Sequence, residues 1–91
     1  MAYKLIYPEC YIRRARKFIK RHPEPISQYQ KTLELLEINP HHHLLRIHPL
    51  KGKLAGLHSI SINISSRISL EMEISEWEII LVNIGTHEEV Y

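Results

Sequence analysis

His48 precedes Pro49-Leu50-Lys51-Gly52-Lys53, an arrangement that sets an imidazole beside two lysines on a loop entering the strand-rich half of the chain. Arg67 lies in a stretch where polar and apolar residues alternate, and it is the only cation on the polar side of that stretch. His87 follows Gly85 at the exit of an apolar run. Two imidazoles and a guanidinium are the minimum set for cutting RNA. A base takes the 2′-hydroxyl proton, a cation holds the phosphate, and an acid protonates the leaving 5′-oxygen. Arginine suits the second task because its planar fork donates paired hydrogen bonds and never deprotonates. A plainer role is open to each: a loop histidine commonly serves as a cap or is merely exposed, and Arg67 has glutamates nearby for a cross-strand ion pair. Whether the three converge depends on the elements that carry them.

Other reactive residue types point to weaker chemistry. His41-His42-His43 cannot all face one metal from a single extended stretch, and no Cys or Asp accompanies them, so no metal site is expected there. Cys10 has no activating partner in sequence and reads as a small buried hydrophobe on a helix. Between Arg13 and Arg21 stand six cations in nine residues: Arg13, Arg14, Arg16, Lys17, Lys20 and Arg21. Such a face is either simply solvated or relieved of its self-repulsion by an anionic partner, RNA backbone or an acidic protein segment.

Apolar periodicity indicates how these residues are held. Tyr3 to Tyr7 reads as a short strand closed by Pro8, which suits a first helical turn. Ile12, Ala15 and Ile19 then recur at helical spacing from Glu9 to about His22, with Tyr11 and Phe18 widening the stripe. His22-Pro23-Glu24-Pro25 breaks the pattern, and Ile26, Tyr29, Leu33 and Leu36 mark a second helix ending before Asn39-Pro40. Pro40 to His43 is a polar loop, and Pro49 to Gly56 a basic connection. Ile60, Ile62 and Ile64 alternate with serine and asparagine, and Ile68, Leu70, Met72 and Ile74 alternate with polar residues, so each run has one core face and one wet face. Ser59, Ser61, Asn63, Arg67, Ser69, Glu71 and Glu73 should lie on the wet side. Ile79 to Ile84 is almost continuously apolar, as expected of a central strand. The predicted order is β-α-α-β-β-β, an α+β domain over residues 1–91 with a twisted, mainly antiparallel sheet and a helical hairpin on one face.

Composition sets the outer limits. A chain of 91 residues with 44% hydrophobic and 24% charged residues fits one small soluble domain. A single cysteine forms no internal disulfide, and neither a membrane span nor a secretory leader is evident, so a reducing cytoplasm is the expected location. The net charge of +2 hides a segregation into blocks: +6 over Met1 to His22, −2 to Leu45, +4 over Arg46 to Arg67, and −6 from Ile68 onward. Two basic blocks can present a positive field to a polyanion without making the whole chain basic.

The run from His48 through Lys51, Lys53, His58, Ser61 and Asn63, then Ser66-Arg67-Ile68, then Ile84-Gly85-Thr86-His87-Glu88-Glu89-Val90-Tyr91, resembles the RelE/ParE toxin superfamily, especially its YoeB and YafQ branches. In that family the residue opening the x-Pro-Leu-Lys run is a general base, glutamate in YoeB-like members and histidine in YafQ-like ones; the position here is His48. The resemblance further implies a phosphate-binding role for Arg67, a general-acid role for His87, and RNA contacts for Lys51, Lys53 and Tyr91. Arg13, Arg14, Arg16 and Lys17 are expected to add sequence-independent RNA affinity. The chain departs from the family at Ser61, where arginine or histidine is common, at His58, where an aromatic is common, and at Ser66, where a larger residue is usual. Either a charge is missing from the site or His58 partly replaces it.

The resemblance implies a type II toxin that cuts mRNA in the ribosomal A site through a 2′,3′-cyclic phosphate, needing no metal or cofactor. Its expected partners are mRNA, the 70S ribosome and a separate antitoxin that folds partly on binding and covers the basic surface. Two rivals share the fold. One is a ParE-like gyrase poison, for which the His48, Arg67 and His87 set is unnecessary. The other is an inactive toxin that still binds its antitoxin.

Overall fold

The structure, a computed structural model, describes residues 2–73 and 76–86. The chain order is β1 (Lys4–Ile6), α1 (Glu9–Arg21), α2 (Ile26–Ile38), β2 (His48–Pro49), β3 (His58–Ser61), β4 (Ser66–Glu73) and β5 (Glu78–Thr86), with 3-10 turns over His43–Leu45 and Gly52–Leu54. The strands form one sheet in the order β1-β5-β4-β3-β2, antiparallel except for the parallel β1–β5 pair. This is the expected α+β architecture with one addition: His48-Pro49 is a two-residue edge strand where a loop was predicted. β5 has strand partners on both sides, which explains its apolar run, but β4 occupies the middle of the sheet.

Both helices start at a proline. Pro8 (φ −58°, ψ 149°) precedes Glu9, and Pro25 precedes Ile26; neither position donates a backbone N–H, so no helical bond is lost. The buried stripe of α1 is Tyr11, Ala15 and Phe18, one residue rotated from the Ile12 and Ile19 line that periodicity suggested. In α2 the buried positions are Thr32 and Leu36, while Ile26 is 41% exposed. Cys10 is exposed, contrary to expectation. Leu36, Leu45, Ile60, Ile68, Leu70, Ile79 and Leu81 complete the core with Tyr11. The loop carrying Leu45 is held by His42, whose Nδ1 accepts the Leu44 N–H at 3.2 Å, so the histidine run has a capping role.

Tyr11 and Tyr29 join the helices through their hydroxyls, 2.9 Å apart. Burial first, and then the neighbouring Tyr29, raise the Tyr11 phenol well above its ordinary value of 10.0; burial also raises Tyr29. A pKa raised on folding means the native state keeps a proton that the unfolded chain releases. The stabilisation is therefore intact below pH 10 and is lost as pH climbs above it. Urea titrations should show stability falling by about 1.4 kcal/mol per pH unit above that point, with Tyr11→Phe flattening the slope. An unchanged slope in the variant would remove Tyr11 as its source.

Register assigns the sheet's two faces. Directly paired residues share a face, so His58 and Leu70, and Ile60 and Ile68, belong to the core side, while Ser59 and Ser69, and Ser61 and Arg67, belong to the other. That second face is less wet than predicted: Ser59 is 0% and Ser69 2% exposed. They form a row with His48 on one side and Asn83 on the other. The β3 strand also ends sooner than its alternation suggested. Asn63 Oδ1 accepts the N–H groups of Ser65 (3.0 Å) and Ser66 (2.8 Å), folding residues 62–65 into a turn that competes with the ladder. Ile64 sits in that turn and is 96% exposed instead of core.

β5 carries a bulge. Ser69 pairs with Asn83 and Leu70 with Leu81, so Val82 is the extra residue. Among the described residues, the β1 side of β5 has no strand partner beyond Ile80. Side chains satisfy its polar groups instead: Arg14 Nη1 donates to the Val82 carbonyl at 3.0 Å, and Asn83 Oδ1 accepts the Ile84 N–H at 2.9 Å. An open edge is thereby blunted, and one cation of the basic helix face is tied to the fold.

Candidate functional site

His48 is exposed on the edge strand β2. Its Nδ1 lies 3.2 Å from the carbonyl oxygen of Arg46. A carbonyl only accepts, so in the neutral ring Nδ1 bears the proton and Nε2 is left as the basic nitrogen. Arg46 caps the 3-10 turn in the left-handed region (φ 51°), a conformation that a non-glycine residue holds only when its surroundings fix it. Periodicity and motif gave no sign of Arg46, because its contribution comes from a backbone carbonyl and an unusual dihedral.

Arg67 shares a face with His48. Register puts the two about 12 Å apart between Cα atoms, from two strand spacings across and two residues along. Its guanidinium is half-buried, with Nη1 donating to the carbonyls of Asn63 (2.6 Å) and Ser66 (3.2 Å). The glutamate pairing considered from sequence is absent: among the described residues no carboxylate meets Arg67. Nε and Nη2 have no partner among those residues and remain available to a ligand. Arg67, Arg46 and Ser61 line a cleft of about 260 Å³ with Leu44 and the 62–64 turn.

The remaining candidates divide. Lys51 and Lys53 are exposed on a loop closed by the Leu50 N–H to Leu57 carbonyl bond (2.9 Å), with Gly52 at φ +67° permitting its tight turn. His58 lies on the opposite face from His48, Ser61 and Arg67, and its buried Nδ1 has no hydrogen-bond partner among the described residues. Positions 58 and 61 differ by an odd number, so strand parity prevents His58 from replacing a charge at Ser61. Arg13, Arg16 and Lys17 are exposed on α1, whereas Arg14 binds Val82. His87 and Tyr91 lie outside the described residues; Gly85, two positions before His87, is directly opposite Arg67. Among the described residues no cluster of three metal-ligating side chains occurs, and no helix is long and apolar enough to cross a membrane.

This architecture is that of the RelE/ParE-like toxins. A YafQ mutant from E. coli superposes with a TM-score of 0.81 at 18% identity, covering 98% of each chain. The YoeB/ParE toxin from Agrobacterium tumefaciens gives 0.74 at 18% identity over 92% of this chain and 98% of that one. In the E. coli DinJ-YafQ toxin-antitoxin complex the match is 0.79 at 14% identity, covering 100% and 99%. No family model and no curated protein matches by sequence.

Proposed function

We propose that the chain is the toxin of a toxin–antitoxin pair and that it cuts mRNA in the ribosomal A site by 2′-hydroxyl attack. The observation that carries this reading is the His48 ring, oriented by the Arg46 carbonyl on the face that Arg67 shares. In the proposed step Nε2 takes the 2′-hydroxyl proton. O2′ then bonds to phosphorus, Arg67 holds the non-bridging oxygens through Nε and Nη2, and the bond to O5′ breaks as His87 protonates it. The products are a 2′,3′-cyclic phosphate and a 5′-hydroxyl end. The toxin-antitoxin complexes among structures sharing this fold support a separate antitoxin as partner.

Expression of the chain alone should arrest growth, with protein synthesis falling before DNA synthesis, and purified protein with ribosomes should leave discrete breaks in a reporter mRNA. Intact mRNA accompanied by gyrase-dependent DNA breaks would favour the ParE-like reading instead.

A further inference from the structure

We propose that the cleft between α1 and the free edge of β5 is a second phosphate seat, which grips single-stranded RNA away from the Arg67 cleft. The choice of RNA as ligand rests on the ribonuclease reading; the seat itself rests on the cleft.

This is a cavity of about 380 Å³, larger than the one at Arg67. Arg14, Lys17 and Arg21 line it, at i, i+3 and i+7 along one helical face, with His22 beside them. Among the described residues no carboxylate lines it. Phe18 and Ile84, each 5% exposed, supply an apolar floor, and a low-dielectric wall strengthens the pull of nearby cations on an anion. Arg13, Arg16 and Lys20 repeat the same spacing one residue out of step. They project about 100° away around the helix and line no part of the cleft. Two cation stripes of equal spacing on one helix thus differ in whether they face a cavity.

The occupant is not an added β-strand, since Arg14 and Asn83 already satisfy the β5 edge at Val82 and Ile84. His22 is also a wall of a second depression, lined by Ser27, Ser65 and Ser66, and Asn63 is common to that depression and the Arg67 cleft. The three depressions are therefore neighbours in a row from Lys17 to Arg67. Its middle offers hydroxyl and amide groups and one exposed carboxylate, Glu24, with little apolar surface to anchor a peptide. A sugar–phosphate backbone needs only such polar neighbours between cationic grips, because phosphate contacts hold position without reading sequence.

Two double variants of equal charge decide the matter: Lys17→Gln/Arg21→Gln in the cleft and Arg16→Gln/Lys20→Gln outside it. Arg14 is left in place because it serves the fold. The probe is a labelled 12-nucleotide DNA strand, which lacks the 2′-hydroxyl and cannot be cut, titrated by fluorescence anisotropy at several salt concentrations with circular dichroism as a folding control. The cleft variant should bind about tenfold more weakly and lose about 0.7 from its log–log salt slope, the value of one phosphate contact on a single strand. The outer variant should change less than about threefold. Should the double variant unfold, Lys17→Gln alone should cost about threefold. Equal losses in both variants would reduce the cleft to part of a diffuse field and overturn the proposal. Loss of poly-glutamate binding with DNA binding intact would also overturn it, by assigning the cleft to an acidic protein segment. Protein that binds DNA through the cleft yet cuts no mRNA would refute the ribonuclease reading and leave the seat standing.

Discussion

Replacing Arg67 by alanine is expected to lower mRNA cleavage by about 10²–10³, roughly 3–4 kcal/mol of transition-state stabilisation, the usual loss when a donor to a developing oxyanion is removed. The expectation rests on the two donors that Arg67 keeps outside its turn contacts and on the face it shares with His48. Those turn contacts add a second effect. Nη1 bonds the Asn63 and Ser66 carbonyls in a half-buried setting, so the substitution should also reduce stability, by about 1–3 kcal/mol. Purely from its place on the polar side of a strand the residue looked dispensable to the fold; its bonds show otherwise. Primer extension on a ribosome-bound reporter, at a temperature where circular dichroism shows the variant folded, separates the two effects. Folded Arg67→Ala protein cutting at the wild-type rate would remove Arg67 from the chemistry.

His48→Ala and His87→Ala should each slow cleavage by about 10²–10⁴, the range for a general base or acid. Groups that act on one proton-transfer sequence are non-additive, so the double variant should lose far less than the product of the single losses. If the factors multiply fully, the two histidines act independently and the coupled base–acid mechanism fails. Arg46 enters here as a positioning residue. Since its carbonyl holds the His48 ring, the side chain can be changed while that bond persists, and Arg46→Ala should leave the His48 contribution in place.

The elements with strong periodicity were legible in sequence, and those shaped by local polar bonds were not. Proline and apolar spacing located α1 and α2 to within a residue, because both signals act over many positions. The turn at 62–65 was missed because serine–isoleucine alternation continues through it; only the Asn63 side chain, bonding ahead to two backbone N–H groups, ends the strand. Residue type alone makes Ser59 and Ser69 wet, though burial depends on what neighbours stand in the same row. The candidate residues were visible by type and by family likeness. Their relation was visible only in part: parity predicts that Arg67 and Ser61 share a face, but that His48 joins them depends on a two-residue strand with no periodicity to detect. Arg46 carried no sequence signal.

The pairing of Ser61 with Arg67 across the 62–65 turn has a consequence for how such a chain can change in length. Sheet faces alternate residue by residue, so one residue inserted here, if the turn kept its length and β4 slipped by one to absorb it, would swing Arg67 toward the core and bring Ile68 to the ligand side. Two inserted residues would restore both. Indels in this turn are therefore tolerated by parity and not by size: a longer loop can be silent where a shorter one is ruinous. The same count that seals the hydrophobic interior also aims the guanidinium, so folding errors and loss of activity at this hairpin are one event.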